Sequence, residues 1–564
     1  MSTKKESGFF KYIEIVAYLL AGWSFLVLFL EPLIEYYVGS YKLVEIGTAI
    51  ANIVLLMLTI LARVLSGAVK EKPTIVYFDL VILILGSILM IYQAKFVIFF
   101  LLIRQTWFIL QYLLFRAFEG KIYKLLMHNP PISLMISFAI VILIGTILLM
   151  LPASSNEGYI THFVDALFTA TSATCVTGLT VMDTGSYYSL FGQIIILLLI
   201  QIGGLGIMTI STAFALMLGQ KISLNIQTLM HKVVGETPVI DVMKLLRGTV
   251  LVTAIIEFIG AVFLFCGFVE IMPVAQAIYY ALFHSISAFC NAGFSLWTNN
   301  LSGFVDSPVV NFSITLLIIL GGLGFAVLID IYHYFFASGS IKRLTLHTKI
   351  VLTATAILIV TGFLGLYLGE YNNSMKGFSV ARRVLSSWFQ SVTARTAGFN
   401  TVDIGLYSSA SVLLTVILMF IGASPGSTGG GIKTTTFSVL MLSVVSMLTG
   451  KRDLVIFKHK IPDSNTREAT TLVTLALGIL ITIIFVLMLI EPFPFEQILF
   501  EAFSAFGTVG LSMGITAKLS YIGKLLITLL MYIGRIGPLT LVYAISIRKK
   551  QPHLSYAEET ITIG

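Results

Sequence analysis

The sequence has little charge for its length. Only 11% of its 564 residues are Asp, Glu, Lys or Arg, whereas a soluble globular protein carries about 25%. Hydrophobic residues make up 57% of the chain, and the mean hydropathy is +0.97. A soluble core cannot hide this much apolar side chain. The composition therefore excludes a soluble enzyme, and it also excludes a disordered or fibrous chain.

The chain is also poor in cysteine and in catalytic patterns. Its three cysteines, Cys175, Cys266 and Cys290, lie in or beside apolar segments, which is neither a disulfide framework nor a zinc-binding spacing. There is no His-Glu-x-x-His helix, no Ser/His/Asp constellation and no pair of aspartates on facing spans. We predict that the protein is not an enzyme and that the chain carries no cofactor of its own.

Long apolar runs are what the sequence does contain. Runs of about 20 residues recur along the whole chain, and each is long enough to cross a bilayer and too long for a barrel strand. The net charge is +8, and its excess of Lys and Arg lies in short loops, which the positive-inside rule explains better than nucleic-acid binding. The start, 1–31, is basic and then apolar without a cleavage site, so we expect a retained first helix. We predict an all-α, multi-pass protein of the cell inner (cytoplasmic) membrane, surrounded by the lipid bilayer and without a nucleic-acid partner.

The first part of the chain, 1–128, is predicted to form a four-helix transmembrane bundle. Its apolar runs lie near 12–31, 46–67, 75–94 and 96–118, and Asn129-Pro130-Pro131 is a strong helix stop. Phe78-Asp79-Leu80 resembles the third helix of voltage-sensor domains. The fourth run, however, carries only Arg104 and Arg116, and voltage gating needs several charges. We read a sensor-like bundle or a packing module that stabilises a dimer, rather than a voltage sensor.

From about residue 132 the chain repeats itself four times. We divide it into unit 1 (129–240), unit 2 (241–340), unit 3 (341–460) and unit 4 (461–564). In each unit a short segment ending in glycine follows a long apolar helix, and these glycines lie 105 to 115 residues apart. The four segments, called turns 1 to 4, are Cys175-Val176-Thr177-Gly178, Cys290-Asn291-Ala292-Gly293, Arg395-Thr396-Ala397-Gly398 and Gly507-Thr508-Val509-Gly510. About 25 residues after each turn comes a second glycine in an apolar helix: Gly203, Gly321, Gly422 and Gly534.

The four turns are expected to converge about a pseudo-fourfold pore axis. Non-helical backbone inside a membrane is tolerated only where it is buried in protein or lines a water-filled path. A ring of backbone carbonyls can replace the water shell of a cation, and glycine allows the positive φ that such a turn needs. Short helices near 163–173, 276–289, 380–393 and 496–505 would point their partially negative C-terminal ends at the ring. The alternative is that the glycines only allow close helix packing. We predict an ion-binding filter built from 176–178, 291–293, 396–398 and 508–510.

The second helix of unit 3 departs from the others. Residues 421–434, called the unit 3 loop, contain five glycines and one proline and cannot remain an α-helix. A loop in the middle of a pore helix would obstruct the ion path, and its glycines would allow it to rearrange between blocked and open states. A phosphate-binding loop is the alternative, but Ile432 interrupts the Gly-Lys-Thr pattern and no buried strand precedes it. The predicted gate residues are Gly422, Gly426, Gly429, Gly430, Gly431, Lys433 and Arg535.

Three cationic side chains lie in or near these segments. Arg535 follows Gly534 in an apolar helix, where a charge is costly unless solvated or paired. It would repel cations and hydrogen-bond carbonyls of the loop, or alternatively form a structural ion pair. Lys433 either acts in the same way or reaches the cytoplasmic face. Arg395 would oppose cations if its side chain pointed into the filter, but we expect it to lie behind turn 3 and to pair with a carboxylate such as Glu501.

On the four turns and the interrupted helix, the chain resembles the Trk/Ktr/HKT superfamily of potassium transporters, most closely the bacterial TrkH/KtrB type. The resemblance covers about 132–564. It implies that glycine in all four turns goes with potassium selectivity, whereas serine in turn 1 would go with sodium permeation. It also implies a gate formed by the unit 3 loop with Arg535, a homodimer, and a cytoplasmic RCK-type ring (TrkA or KtrA type). Nucleotide would act only through that separate subunit, since we expect no soluble domain of that kind in this chain.

We therefore predict potassium uptake through a channel-like pore, with potassium as the transported ion. The alternative is a sodium- or proton-coupled symporter with alternating access, which calls for buried carboxylates and an inverted repeat. Here the basic segments that join the units all read as cytoplasmic, so the repeats run in parallel. Glu257 is the main embedded acid.

Overall fold

The computed structural model describes residues 41–65, 79–84, 130–217, 242–336, 343–451, 453–538 and 540, and the isolated positions 16, 19, 20, 22–24, 26, 27, 98, 101 and 104. These residues form helices and one two-stranded hairpin, so the predicted all-α class is confirmed. Four of the described helices are long and apolar enough to cross a membrane, and a fifth span results if a helix pair bent by 100° is counted as one.

The helices follow the predicted repeat. Ahead of it lies α1 (Tyr41–Leu65). Each unit then has an outer helix, a short helix and an inner helix. Unit 1 has α2 (Pro130–Met150), α3 (Phe163–Thr174) and α4 (Leu190–Met217); unit 2 has α5 (Val242–Phe268), α6 (Val274–Phe289) and an inner helix split into α7 (Pro308–Leu323) and α8 (Phe325–Phe336). Unit 3 has α9 (Leu346–Gly369), α10 (Val380–Thr393) and an inner helix split into α11 (Ser409–Phe420) and α12 (Thr434–Leu448); unit 4 has α13 (Asp463–Ile490), α14 (Phe495–Gly507) and α15 (Tyr521–Ile536). Strands β1 (Val455–Ile456) and β2 (His459–Lys460) pair antiparallel in the segment before unit 4.

The short helices begin and end where their sequences stop helical backbone. Pro273 and Pro494 stand immediately before α6 and α14, and the side chain of Ser379 accepts the Arg382 N–H at the start of α10. Such residues favour helix N-termini because the first N–H groups have no partner inside the helix. All four short helices run into a glycine turn, and their ends lie within two residues of the predicted bounds.

The inner helices of units 1 and 2 also break, and that of unit 4 ends, at a position that corresponds to the unit 3 loop, which corrects the expectation that only unit 3 is interrupted. Gly206 has φ 77° inside α4, Gly324 has φ 95° between α7 and α8, and Gly537 has φ 89° after α15. Each stands three residues after the second glycine of its unit. In unit 3 the corresponding place is held by the loop, where Gly426 has φ 69°. Left-handed backbone of this kind interrupts an α-helix and is open to glycine without a steric penalty.

Glutamates join two outer helices to the inner helices of the same units. Glu370, after α9, accepts Ser408 N and Ser408 Oγ, both at 2.9 Å. Glu491, after α13, accepts Ser520 N at 3.0 Å and Ser520 Oγ at 2.5 Å. Burial raises the pKa of Glu370, but the hydrogen bonds from neighbouring serines outweigh it and leave that pKa below the ordinary value. Both carboxylates thereby satisfy the first N–H groups of an inner helix.

A buried ion pair joins the last unit to the first. Lys524 Nζ of α15 donates to Asp165 Oδ1 of α3 at 2.7 Å, and both residues are less than one tenth exposed. The described part of unit 4 therefore contacts unit 1, as a closed arrangement of four units requires.

Part of the N-terminal bundle lies within the described residues. Helix α1 begins at Tyr41, five residues ahead of the predicted run. Arg104 forms a buried, two-bonded ion pair with Asp79, with N···O distances of 2.7 and 3.2 Å, so it contributes to packing. Arg116 and most of the other three predicted runs lie outside the described residues.

Candidate ion pathway

The four turn glycines lie side by side in a closed ring. A Cβ atom added to Gly293 would lie 2.7 Å from Ala397 O and 2.9 Å from Gly398 Cα, in turn 3. The other three glycines approach the next turn in the same way. Added Cβ atoms would overlap Ala292 O from Gly178, Val509 O from Gly398 and Thr177 O from Gly510. Because turn 4 meets turn 1, the ring is complete, and no larger residue fits any of its glycine positions without moving a carbonyl.

The same backbone conformation recurs in every turn. The glycines have φ of 94°, 68°, 80° and 91°, and the residue two positions before each also has positive φ: Val176 57°, Asn291 61°, Thr396 75° and Thr508 49°. A β-branched residue with positive φ is a genuine outlier. Such backbone costs about 1–3 kcal/mol per residue and persists mainly at functional sites, where the surroundings enforce it.

Hydrogen bonds at the helix ends enforce this conformation. Thr177 N donates to Ser172 O at 2.7 Å and Val176 N donates to Ala173 O at 3.1 Å, which is the pattern of a Schellman motif. The corresponding two bonds close turns 2 and 4, whereas turn 3 closes through Ala397 N and Thr393 O at 2.9 Å. The short helices thus end at the ring, and their partially negative C-terminal ends favour a cation there.

Hydroxyl groups of the short helices brace the turns. Ser172 Oγ accepts Gly178 N and Ser504 Oγ accepts Gly510 N, both at 3.1 Å. In units 2 and 3 the hydroxyls donate instead to the carbonyls that follow the glycine: Ser287 to Phe294 O at 2.9 Å and Thr393 to Phe399 O at 2.7 Å.

A cavity of about 780 Å³ opens at the ring. Gly178, Gly398 and Gly510 form part of its wall, together with polar residues such as Asn299 and Asp403. These polar residues belong to the segments between the turns and the inner helices, which the charge pattern predicts to face outside.

The unit 3 loop lies against Thr396 of turn 3 and Thr508 of turn 4. Gly430 N donates to Thr508 Oγ1 at 3.0 Å, and both groups are buried. An added Cβ atom would overlap Thr396 Oγ1 from Gly429 and Thr508 Oγ1 from Gly430. Glycine is required at both loop positions because the loop backbone touches these threonine side chains.

The base of the loop is closed by its own backbone. Gly422 N donates to Ile432 O at 2.9 Å, and Ile432 N donates to Phe420 O at 3.2 Å. Lys433 Nζ donates to Gly429 O at 2.6 Å, so the side chain of this lysine bonds another residue of the same loop. The positive φ of Gly426 and Gly431, 69° and 68°, turns the chain within it.

Unit 2 holds the loop from a second side. Thr428 N donates to Gly321 O and Phe325 N donates to Gly426 O, both at 3.2 Å. A Cβ atom on Gly324 would lie 2.5 Å from a loop carbonyl. The break between α7 and α8 is therefore a docking point for the loop.

Arg535 links the loop to unit 1. Its buried guanidinium donates to Thr428 O of the loop and to Gly203 O of α4, so the predicted contact with a loop carbonyl is present. Among the described carboxylates, none forms an ion pair with Arg535, and the ion-pair alternative fails for these residues.

The predicted pairing of Arg395 with Glu501 is wrong. Both side chains are buried, but they form no ion pair. Glu501 instead accepts Thr516 Oγ1, and Ser512 Oγ at 3.3 Å. Oxygen Oε1 of Glu501 thus faces the segment that follows its own turn and accepts both hydroxyls.

The side chains of Cys290, the first residue of turn 2, and Glu257 lie on the side of the turn that faces α4 and α5. Glu257 Oε2 accepts Gln201 Nε2 at 3.2 Å, its backbone carbonyl accepts Ser285 Oγ at 2.6 Å, and Cys290 Sγ lies 3.7 Å from Gln201 Oε1. These bonds connect α4, α5 and α6. The described residues contain no cluster of three or more metal-ligating side chains.

Comparison with known proteins agrees with this architecture. The family model TrkH, described as cation transport protein, matches residues 93–556. The chain is 42% identical over 448 residues to the Ktr system potassium uptake protein B of Bacillus subtilis, covering 79% of this chain and 99% of that protein. It is 40% identical over 443 residues to the potassium/sodium uptake protein NtpJ of Enterococcus hirae, covering 77% of this chain and 97% of that protein.

A solved structure shares the fold. The potassium transporter TrkH from Vibrio parahaemolyticus superposes with a TM-score of 0.56 at 19% identity, covering 72% of this chain and 84% of that one. The relatives are transport proteins, in agreement with the expectation that the chain is not an enzyme. The chain belongs to the TrkH family of cation transport proteins, a family of multi-pass membrane transporters.

Proposed function

We propose that this protein takes up potassium ions across the cell inner membrane through a channel-like pore. The observation that carries the proposal is the closed ring of four turns, each with a left-handed residue followed two positions later by a left-handed glycine. Backbone carbonyls of 176–178, 291–293, 396–398 and 508–510 act as the filter. The names of the two relatives above, potassium uptake and potassium/sodium uptake proteins, support the same cargo.

Selectivity resides in the glycine of each turn. An added Cβ atom at any of these positions meets the carbonyl of the next turn, so the carbonyl spacing depends on all four glycines at once. A filter whose carbonyls keep this spacing replaces the hydration shell of potassium, whereas a displaced carbonyl admits sodium.

The unit 3 loop is the gate, and Arg535 holds it in the closed position. The loop is docked on two turns and on the broken inner helix of unit 2. The guanidinium bonds the loop and places a positive charge within the protein, where a cation pays a high electrostatic cost to pass. Opening requires the loop to leave these contacts.

Regulation comes from a separate subunit. The names of the Ktr system relatives imply a transporter of several components. A homodimer of this chain on a cytoplasmic RCK-type ring (TrkA or KtrA type) fits the resemblance. Nucleotide acts through that ring, and this chain itself holds no cofactor.

Rubidium-86 uptake into proteoliposomes that contain the purified chain tests the function. Uptake driven by the rubidium gradient alone, and competed by potassium but not by sodium, is the expected result. Uptake that requires an imposed sodium or proton gradient would contradict the channel and favour the coupled symporter, with Glu257 as the next residue to replace.

A further inference from the structure

The inner end of the proposed filter and the tip of the proposed gate share a hydrogen bond. Thr508 is the left-handed residue of turn 4, and its hydroxyl oxygen accepts Gly430 N at 3.0 Å. Both groups are buried. The two devices that the function needs, one for selectivity and one for opening, are therefore joined at one side chain.

Thr508 differs from the left-handed residues of the other three turns. Val176 carries no side-chain oxygen. Asn291 and Thr396 lie within 3.3 Å of each other through their polar side-chain atoms. Among the described residues, Thr508 is the member of this set whose side chain accepts a hydrogen bond from the loop.

An N–H group and a cation compete for the same kind of oxygen. The Gly430 N–H directs a partially positive hydrogen at the Thr508 hydroxyl oxygen, and this positive charge repels an alkali cation even though the oxygen has a second lone pair. When the loop leaves, the oxygen loses a donor and becomes available to a cation at the inner end of the filter. Oxygen ligands of this kind suit a dehydrated monovalent cation.

We propose that Thr508 is a latch through which the filter and the gate are coupled. In the docked state its hydroxyl holds the loop by Gly430 N, and in the undocked state the same oxygen serves a potassium ion. Potassium at the filter thus favours undocking of the loop. By linkage, undocking of the loop strengthens potassium binding by the same factor. The inference rests on the proposed function, since it takes the turns as a filter and the loop as a gate.

The size of the effect follows from one hydrogen bond. A buried hydrogen bond between neutral groups shifts an equilibrium by about 2- to 12-fold. Removal of the hydroxyl should increase the undocked population by a factor in this range and should abolish its dependence on potassium.

The test compares Thr508→Val with Thr508→Ser, because valine keeps the branched shape without the hydroxyl and serine keeps the hydroxyl. Thr508→Gly is a second hydroxyl-free variant that accommodates the φ of 49° without strain. Each carries Ser427→Cys in the loop as a reporter and Cys266→Ala, which removes an exposed thiol. The full chain in proteoliposomes is labelled with a membrane-impermeant maleimide at low and high potassium, with sodium replacing potassium.

We expect labelling at position 427 to be faster in the valine and glycine variants than in the serine variant, about 2- to 12-fold at low potassium. Potassium should accelerate labelling in the serine variant only. Equal rates in the serine and hydroxyl-free variants, or the same potassium response in all three, would overturn the latch. Rubidium uptake by the protein with an unaltered Thr508 is measured in parallel, with potassium or sodium as competitor. If potassium competes no better than sodium, the filter itself is refuted. If potassium competes better but the labelling rates of the three variants are equal, only the latch is refuted.

Discussion

The buried ion pair between Lys524 and Asp165 offers a quantitative test of how the four units close. Lys524→Met removes the cation and leaves the Asp165 carboxylate buried; Asp165→Asn removes the anion and leaves the ammonium buried. Removal of one partner of a buried pair costs about 3–5 kcal/mol, because the remaining charge is uncompensated. The helix termini make the two costs unequal.

Both residues lie in the first turn of a helix, α3 for Asp165 and α15 for Lys524. The partially positive N-terminus of α3 stabilises a lone carboxylate, and that of α15 destabilises a lone ammonium, each by about 0.3–1 kcal/mol. Lys524→Met should therefore lower the free energy of unfolding by about 3 kcal/mol and Asp165→Asn by about 5 kcal/mol. The double variant should recover most of the loss.

The free energy of unfolding would be measured in mixed micelles by titration with a denaturing detergent. The exposed pair between Lys460 and Asp453, with N···O at 2.5 Å and more than half of each side chain exposed, is the matched control. Lys460→Met should cost at most about 1 kcal/mol, since exposed pairs contribute little. Equal losses at the two pairs, or a double variant no more stable than the worse single one, would refute the buried closure of unit 4 on unit 1.

Three further predictions concern ion flux. Gly178→Ser should lower the selectivity for potassium over sodium roughly 5- to 30-fold, because the new Cβ displaces Ala292 O at a strain of about 1–2 kcal/mol. Unchanged competition by potassium and sodium in rubidium uptake would contradict the filter. Arg535→Met should raise flux without a partner subunit at least about tenfold, because each charge-assisted bond is worth about 1.5–3 kcal/mol; lower flux from well-folded protein would remove Arg535 from the gate. Phe325→Pro should raise flux without a partner subunit about 2- to 12-fold above the flux of Phe325→Ala. Both variants lose the aromatic ring, but only proline, which fits the first residue of a helix, also loses the N–H that donates to Gly426 O. Equal fluxes in the two variants would mean that this hydrogen bond does not hold the loop.

The repeat in the sequence was sufficient to predict the fold and the ring. Four glycine segments in register fixed the short helices to within two residues, because proline or serine begins α6, α10 and α14 and a left-handed turn ends them. The same register brought Gly178, Gly293, Gly398 and Gly510 together.

Long-range partners were harder to predict. The pairing of Arg395 with Glu501 failed because charge complementarity alone does not show which way a side chain points, and Glu501 found hydroxyls in its own unit. The pairing of Lys524 with Asp165 spans most of the chain and had no local signal. The positive-φ glycines of the inner helices did have a local signal, because Gly-x-x-Gly occurs at 203–206, 321–324 and 534–537. A two-glycine pattern is much weaker than the five glycines of the unit 3 loop, so only the loop was predicted to be interrupted.

The most direct test of the central claim is to locate the bound ion. Thallium or rubidium soaked into crystals of the full chain should give an anomalous peak on the axis between the four turns, coordinated by carbonyls of residues 176–178, 291–293, 396–398 and 508–510. Replacement by sodium should remove it. An empty ring, with the ion bound at Glu257 or elsewhere off the axis in protein that still transports rubidium, would contradict the account.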